Sequence, residues 1–355
     1  MENKSQEAFQ LIDVDCNLIH PDLHQFHLAL ERSESEDDFH ETTSKVTADF
    51  FRILSHPSVK QATITAVFSP SSTIAEAHIF LQALENYSET PLSSIPIATS
   101  VGVHPYHVLD SSLPMSIEQA RTDICELLTN DKYHPFIKCI GETGLDYSEG
   151  FPDKEKQIPW WELQVSLALE YQLPLFVHER LAFVDVVHTL EDTVFVPRES
   201  HTRIPVLIHC FTGTREECRF YIARGCFISV SGYILRSGLG PEEVQACLKE
   251  GIIPLDKLMI ETDSPYMGFP SCRDLYFDME GDAFQVLSSK QKKRLLKGTY
   301  PNVPSSLPKV LDRVVHLLNE GKKASEHLSK EYVASVIFEN SLRFFNFDRT
   351  RIKSY

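Results

Sequence analysis

Apolar runs in this chain end on side chains that hold metal ions or move protons. Asp13, Asp15 and Asn17 stand in Leu11–Leu18, and His104 follows Ile97–Val103. Glu142 follows Phe136–Gly141, His178 follows Leu173–Val177, His209 closes Pro205–His209 and Asp263 follows Leu258–Glu261. Taken one at a time, each has an ordinary use: a hydrogen-bonded core imidazole, or a carboxylate capping a helix. Four separate runs that end in Glu, His, His and Asp point elsewhere, because buried acids repel one another unless a cation sits among them. Such a centre suits hydrolysis, since a bound divalent cation makes water acidic and neutralises charge on a phosphoryl or carbonyl oxygen. Asp263 has no Lys or Arg among its nearest neighbours in sequence, so its carboxylate is the candidate general base.

No two of these residues have the local spacing of a helix-borne metal motif, so the fold must bring them together. Short apolar runs at Leu11–Leu18, Ala62–Phe68, Ile97–Val103, Phe136–Gly141, Leu173–Val177, Pro205–His209, Cys226–Val230 and Leu258–Glu261 predict eight strands. Helical periodicity lies between them, at Thr42–Leu54, Ile74–Tyr87, Ser116–Leu128, Glu155–Tyr171, Leu181–Leu190, Glu216–Ala223 and Pro241–Lys249. Alternating strands and helices with continuously apolar strands predict an α/β fold, a TIM-type (β/α)8 barrel; a doubly wound sheet is the alternative. In a parallel barrel every strand opens its C-terminal end on one face, which would gather these residues at one mouth. Surface insertions are expected near 31–41, 191–203 and 267–300, and two C-terminal helices at Leu307–Asn319 and Ser325–Phe345. The absence of a repeat or a Gly/Ser linker predicts one domain over residues 1–355.

The 355 residues carry 34 Lys+Arg against 50 Asp+Glu, a net −16, which argues against a broad electrostatic grip on nucleic acid or on an anionic membrane. A polyanion would have to be met locally. Lys290, Lys292, Lys293, Arg294 and Lys297 offer such a patch, and Tyr147, Phe211, Tyr233 and Tyr266 follow strand ends where they could stack bases. Packing and solvation are the competing uses of these side chains. Eight scattered cysteines without a C-x-x-C pair predict free thiols in a reducing, cytoplasmic or nuclear compartment. No stretch approaches the roughly 18 apolar residues of a membrane span.

The ordered segments Val101-Gly102-Val103-His104-Pro105, Gly141-Glu142-Thr143-Gly144-Leu145-Asp146-Tyr147, Val177-His178, Leu207–Gly213 and Ile260–Tyr266 together resemble the TatD-type metal-dependent deoxyribonucleases. The resemblance implies an amidohydrolase-like barrel with one or two divalent cations at its mouth and hydrolysis of DNA, as a 3′→5′ exonuclease on single-stranded ends. It makes Glu142, His178, His209, Asp263 and Asp15 metal ligands, Glu142 and Asp263 catalytic, and His104 a contact to the scissile phosphate. Many members carry His-x-His where this chain has Asp15 and Asn17. The resulting oxygen-rich set favours Mg²⁺ or Mn²⁺, with Zn²⁺ also admissible. Pro301 and Val303 stand where the family often has Arg and Glu.

Two other readings are open on sequence alone. An amide or ester hydrolase of the same barrel lineage often uses a carbamylated Lys at the end of strand four, where this chain has Glu142 and holds Lys138 within the strand. A non-catalytic barrel binding protein would gain nothing from clustered buried acids.

Overall fold

The protein is described by a computed structural model over residues 9–31, 44–88, 95–110, 116–196, 203–279 and 288–352. Its apolar runs form eight strands: β1 (Leu11–Asp13), β2 (Ile64–Ser69), β3 (Ile97–Val101), β4 (Ile137–Asp146), β5 (Leu175–Arg180), β6 (Val206–Ile208), β7 (Phe227–Val230) and β8 (Leu258–Ile260). All pair in parallel and in sequence order, as a (β/α)8 barrel requires. Nearly every strand residue is buried on whichever face it presents, which is why these runs read as continuously apolar.

Helices return the chain between strands: α1 (Pro21–Glu31), α2 (Ser44–Ser55), α3 (Pro57–Gln61), α4 (Ile74–Ser88), α5 (Ile117–Leu128), α6 (Lys154–Tyr171), α7 (Phe183–Thr193), α8 (Arg215–Ala223) and α9 (Leu239–Lys249). After β8 come α10 (Asp274–Met279), α11 (Ser289–Lys297), α12 (Leu307–Asn319) and α13 (Lys330–Phe345). Local chemistry fixes several starts. The Ser116 hydroxyl accepts the Gln119 N–H, and Thr214 and Glu217 form a reciprocal capping box on α8.

The last pairing, between β8 and β1, is made mostly beyond the strands themselves. Val14 N donates to Ile260 O at 3.4 Å, Asp263 N to Asp15 O at 2.8 Å and Asn17 N to Ser264 O at 2.8 Å. The Asp13 carboxylate accepts the Thr262 N–H at 2.8 Å and the Thr262 hydroxyl at 2.6 Å. Strand one was expected to run to Leu18; it ends at Asp13 because the residues beyond it leave the ladder to make this seam. Conversely, β4 continues past Gly141 to Asp146, pairing with β5 at Ile140 and again from Thr143 to Asp146 after a shift of register.

Inward-facing Ile12, Phe68, Phe176, Leu207, Phe227 and Met259 fill the barrel. Phe345, from α13, closes it from beneath, stacked on Phe68 at 4.2 Å. The segment expected as a helix from Ser325 begins instead with a 3₁₀ turn, Ala324–Glu326, and α13 starts after Ser329, whose hydroxyl accepts the Tyr332 N–H. Of the expected insertions, residues 32–41 and 197–202 lie outside the described residues, and the stretch 267–300 contributes α10 and α11 with 280–287 outside them. No described helix is long and apolar enough to cross a membrane.

Candidate metal centre at the barrel mouth

Two glycines place Glu142. At Gly141 (φ +151°) a Cβ would lie 2.6 Å from the Phe176 carbonyl oxygen, and at Gly144 (φ +143°) 1.8 Å from that of His178. Only residues without a side chain let β4 run this close to β5, where the register shifts between Ile140 and Thr143 and His178, opposite Gly144, comes within reach of Glu142. His209 follows β6 directly, its N–H bonded to Val177 O at 3.0 Å and its ring stacked on Phe176 at 4.7 Å. Cys210 (φ 42°) and Asp263 (φ 51°) hold left-handed backbone just past their strands, a conformation that L-residues adopt at a cost of order 1–3 kcal/mol and that clusters at working sites.

The three side chains converge on one another. Glu142 Oε1 lies 3.1 Å from His178 Nδ1 and 2.8 Å from His209 Nε2, and the two imidazole nitrogens are 3.3 Å apart. Ligand atoms that share an ion at roughly 2.0–2.3 Å stand about 3 Å from one another, so this triad has the spacing of a coordination shell. Beside it, Asp15 Oδ2 is 3.0 Å from His209 Nδ1, while the Asn17 amide reaches Asp15 Oδ1 at 3.5 Å and Asp263 Oδ1 at 3.4 Å. Two overlapping ligand groups, His104–Glu142–His178 and Asp15–Glu142–His209, each fit within 4.8 Å and share Glu142. Asp263 belongs to neither group, but it lines the same cavity of about 350 Å³.

His104, expected at the substrate, sits on this cavity with Nε2 3.3 Å from Glu142 Oε1. Its Nδ1 accepts the Tyr106 backbone N–H at 3.2 Å. That bond fixes the tautomer: in the neutral ring the proton is on Nε2, pointing into the cavity as a donor. Burial holds the ring neutral, with its pKa lowered to about 3.

Burial disfavours charge throughout the cluster, and the charges sort accordingly. Glu142 is held well below the usual carboxylate range, the imidazoles clustered around it outweighing its burial. His209 is pushed well above the imidazole range in spite of its burial, chiefly by the Glu142 charge. Burial, with the Asp263 charge added, pushes Asp15 well up. Burial raises Asp263 to about 7, with Glu261 and Glu142 contributing against the opposing His209. Asp15 Oδ2 and Glu261 Oε1 lie 3.0 and 3.7 Å from His209 Nδ1, all three buried, yet none of them makes a hydrogen bond of good geometry among the described residues. Orphaned donor atoms among acids that resist ionising are what a divalent cation would satisfy, and the donor set fits one.

Sequence reasoning missed several members. Asp146 Oδ2 meets His178 Nε2 at 2.9 Å, so that ring is held by a carboxylate on each side. Its strand parity with Glu142, four residues back on the same face of β4, was the available signal. Glu261 Oε2 accepts the Ser229 hydroxyl at 2.6 Å. Arg180 lines the cavity and makes no ion pair among the described residues. Asp13 is committed to Thr262 and its burial raises it to about 8. Of the aromatics expected to stack bases, Phe211 is buried, Tyr147 donates to Asp185 at 2.7 Å, Tyr233 is packed against the core, and Tyr266 alone is exposed. Val303 is buried and Asn302 ties Thr262 O at 2.8 Å, so the 301–303 segment packs rather than projecting charge.

A family described as "TatD related DNase" matches residues 27–346. The "3'-5' ssDNA/RNA exonuclease TatD" of Citrobacter rodentium (strain ICC168) is 32% identical over 225 residues, which span 62% of this chain and 70% of that one. Among solved structures, a hydrolase TatD family protein from Entamoeba histolytica superposes with a TM-score of 0.66 at 22% identity, covering 95% of this chain and 98% of that one. An uncharacterized amidohydrolase from Saccharomyces cerevisiae has the same fold, with a TM-score of 0.66 at 19% identity over 95% of this chain and 100% of its own.

Proposed function

The chain belongs to the TatD-related DNase family, and from that premise we propose that it is a metal-dependent deoxyribonuclease acting 3′→5′ on single-stranded ends. The observation that carries this reading is the convergence of Glu142, His178 and His209 within 2.8–3.3 Å of one another at the barrel mouth. Those three would hold one divalent cation. Asp15 and Asp263, with Glu142 reaching across, would hold a second, and an all-oxygen partner set favours Mg²⁺ or Mn²⁺ there over Zn²⁺. When bound, the cations supply an acidified water and neutralise charge on the non-bridging phosphate oxygens.

The chain's own residues supply the rest. The Asp263 carboxylate takes the proton of the attacking water. His104 donates its Nε2 proton to a phosphate oxygen, a role that suits a ring whose other nitrogen is committed to the Tyr106 N–H. Asp146 accepts from His178 Nε2, which turns the Nδ1 lone pair toward Glu142 and the cation. Among the described residues that line the cavity, Arg180 alone is a Lys or Arg, and it supplies a cation for the phosphate backbone.

The test is digestion of labelled single-stranded DNA, duplex DNA and RNA with Mg²⁺ or Mn²⁺, with EDTA as control. Single strands should shorten from the 3′ end only when metal is present, and Glu142→Gln should lower the rate at least about a thousandfold, because it removes the shared ligand. Digestion that persists in EDTA, or at wild-type rate in Glu142→Gln, would overturn the assignment.

A further inference from the structure

We propose that Tyr266, Tyr300 and the lysines of α11 form a track that holds the unreacted length of a DNA single strand outside the mouth; the proposal rests on the nuclease reading above. Tyr266 lines the central cavity and is 46% exposed, and Tyr300 stands beside it, 48% exposed, with ring centroids 6.3 Å apart. Large apolar rings left open to water on the rim of a working cavity are unusual for a soluble surface and offer faces to bases.

Both rings are held in place. The Tyr266 hydroxyl meets His20 Nε2 at 2.9 Å and the Tyr300 hydroxyl donates to Asp22 at 2.6 Å. The two backbone segments are tied by Asn302 N to Pro265 O at 2.7 Å, and Arg273 Nη1 donates to Tyr300 O at 3.3 Å. A stacking surface that is already ordered loses little entropy on binding.

Just before Tyr300 runs α11, and between it and Pro270–Asp274 lies a groove of about 790 Å³ lined by Lys292, Lys293 and Lys297. The acid on that groove, Asp274, is already bonded to Lys309 at 2.8 Å. Lys290, Lys293 and Lys297 are exposed and make no ion pair among the described residues. In a chain of net charge −16 this is a local reversal of sign, and the short segment 298–300 that packs on Gly268 and Arg273 joins it to Tyr300. Aromatic faces followed by cations suit a single strand, whose bases are free to stack while its phosphates follow the lysines; a duplex keeps its base faces covered.

The experiment measures binding of fluorescein-labelled dT12 and dT3 to the full-length protein in EDTA, by anisotropy at several salt concentrations, so that no turnover is involved. Wild type should prefer dT12. Lys293→Ala/Lys297→Ala should weaken dT12 binding about tenfold, shrink the dT12:dT3 preference, and lower the log–log salt slope by about 1.4, two phosphate contacts at about 0.7 each. Tyr300→Leu should weaken dT12 binding about tenfold and leave the slope alone. Unchanged dT12 affinity, equal weakening of both oligonucleotides, an unchanged slope in the lysine variant, or no dT12 binding by wild type would each overturn the track. If these binding results hold while no metal supports digestion, the catalytic reading falls and the track stands.

Discussion

Asp146→Asn isolates the contribution of one contact behind the Glu142–His178–His209 triad. In the wild type, Asp146 Oδ1 accepts the Ser148 N–H at 2.8 Å and Oδ2 meets His178 Nε2 at 2.9 Å. An asparagine can keep the first bond through its carbonyl, but it then turns an NH₂ toward Nε2. The imidazole must answer as an acceptor, which moves its proton to Nδ1 and removes the lone pair that faces Glu142. Outer partners of this kind are worth about 10–100-fold in metal affinity, or about 1.4–2.7 kcal/mol. The assay is calorimetric titration of Mn²⁺ into chelator-treated protein, with circular dichroism and Tm to show that the variant is folded. A folded Asp146→Asn protein that binds Mn²⁺ within about twofold of wild type would refute both the tautomer and the assignment of His178 Nδ1 to the cation.

Gly144→Ala must push β4 off the His178 carbonyl and take up a disfavoured backbone; we expect a loss of more than about 2 kcal/mol in urea unfolding together with weakened Mn²⁺ binding. Phe345→Ala empties the base of the barrel, where the ring is fully buried, and should cost about 3–5 kcal/mol by urea denaturation; a cost under about 1 kcal/mol would show that the plug is dispensable. Burial lowers His27, whose ring meets the Tyr276 hydroxyl at 3.1 Å, from 6.5 to about 3. The unfolded chain therefore binds the extra proton, so this residue's contribution to stability is intact above about pH 6.5 and falls as pH drops toward 3. Between pH 7.5 and 5.5 it should account for about 1.4 kcal/mol of destabilisation, and His27→Gln should flatten the unfolding free energy by that amount over the same interval.

The barrel was legible because parallel strands buried on both faces have to be continuously apolar, and the termini of those runs carried the polar residues that now face one cavity. Strand ends were less legible. Whether Val14–Leu18 continues a ladder or peels away depends on hydrogen bonds to residues 260–264, about 250 positions distant, which no local pattern encodes. The same limit hid Glu261 and Asp146, whose chemistry depends on cross-strand neighbours rather than on their own flanks. Tyr147 and Tyr266 both follow strand ends, yet one is tied down by Asp185 and the other is open to solvent. Parity along a strand tells which way a side chain points, but not what arrives from another helix to cover it.

The seam between the first and last strands has a consequence for anyone who would re-engineer the proposed metal centre for a different ion. Asp15 and Asp263 are joined through their own backbones, at 2.8 Å, just beyond β1 and β8, where those strands complete the cylinder. Placing imidazoles at positions 15 and 17 would therefore put bulk into this seam as well as new donors into the site. Selection for a different metal and selection for a shut cylinder act on the same few peptide units, so swaps there are best made as a matched set spanning 13–17 and 261–264.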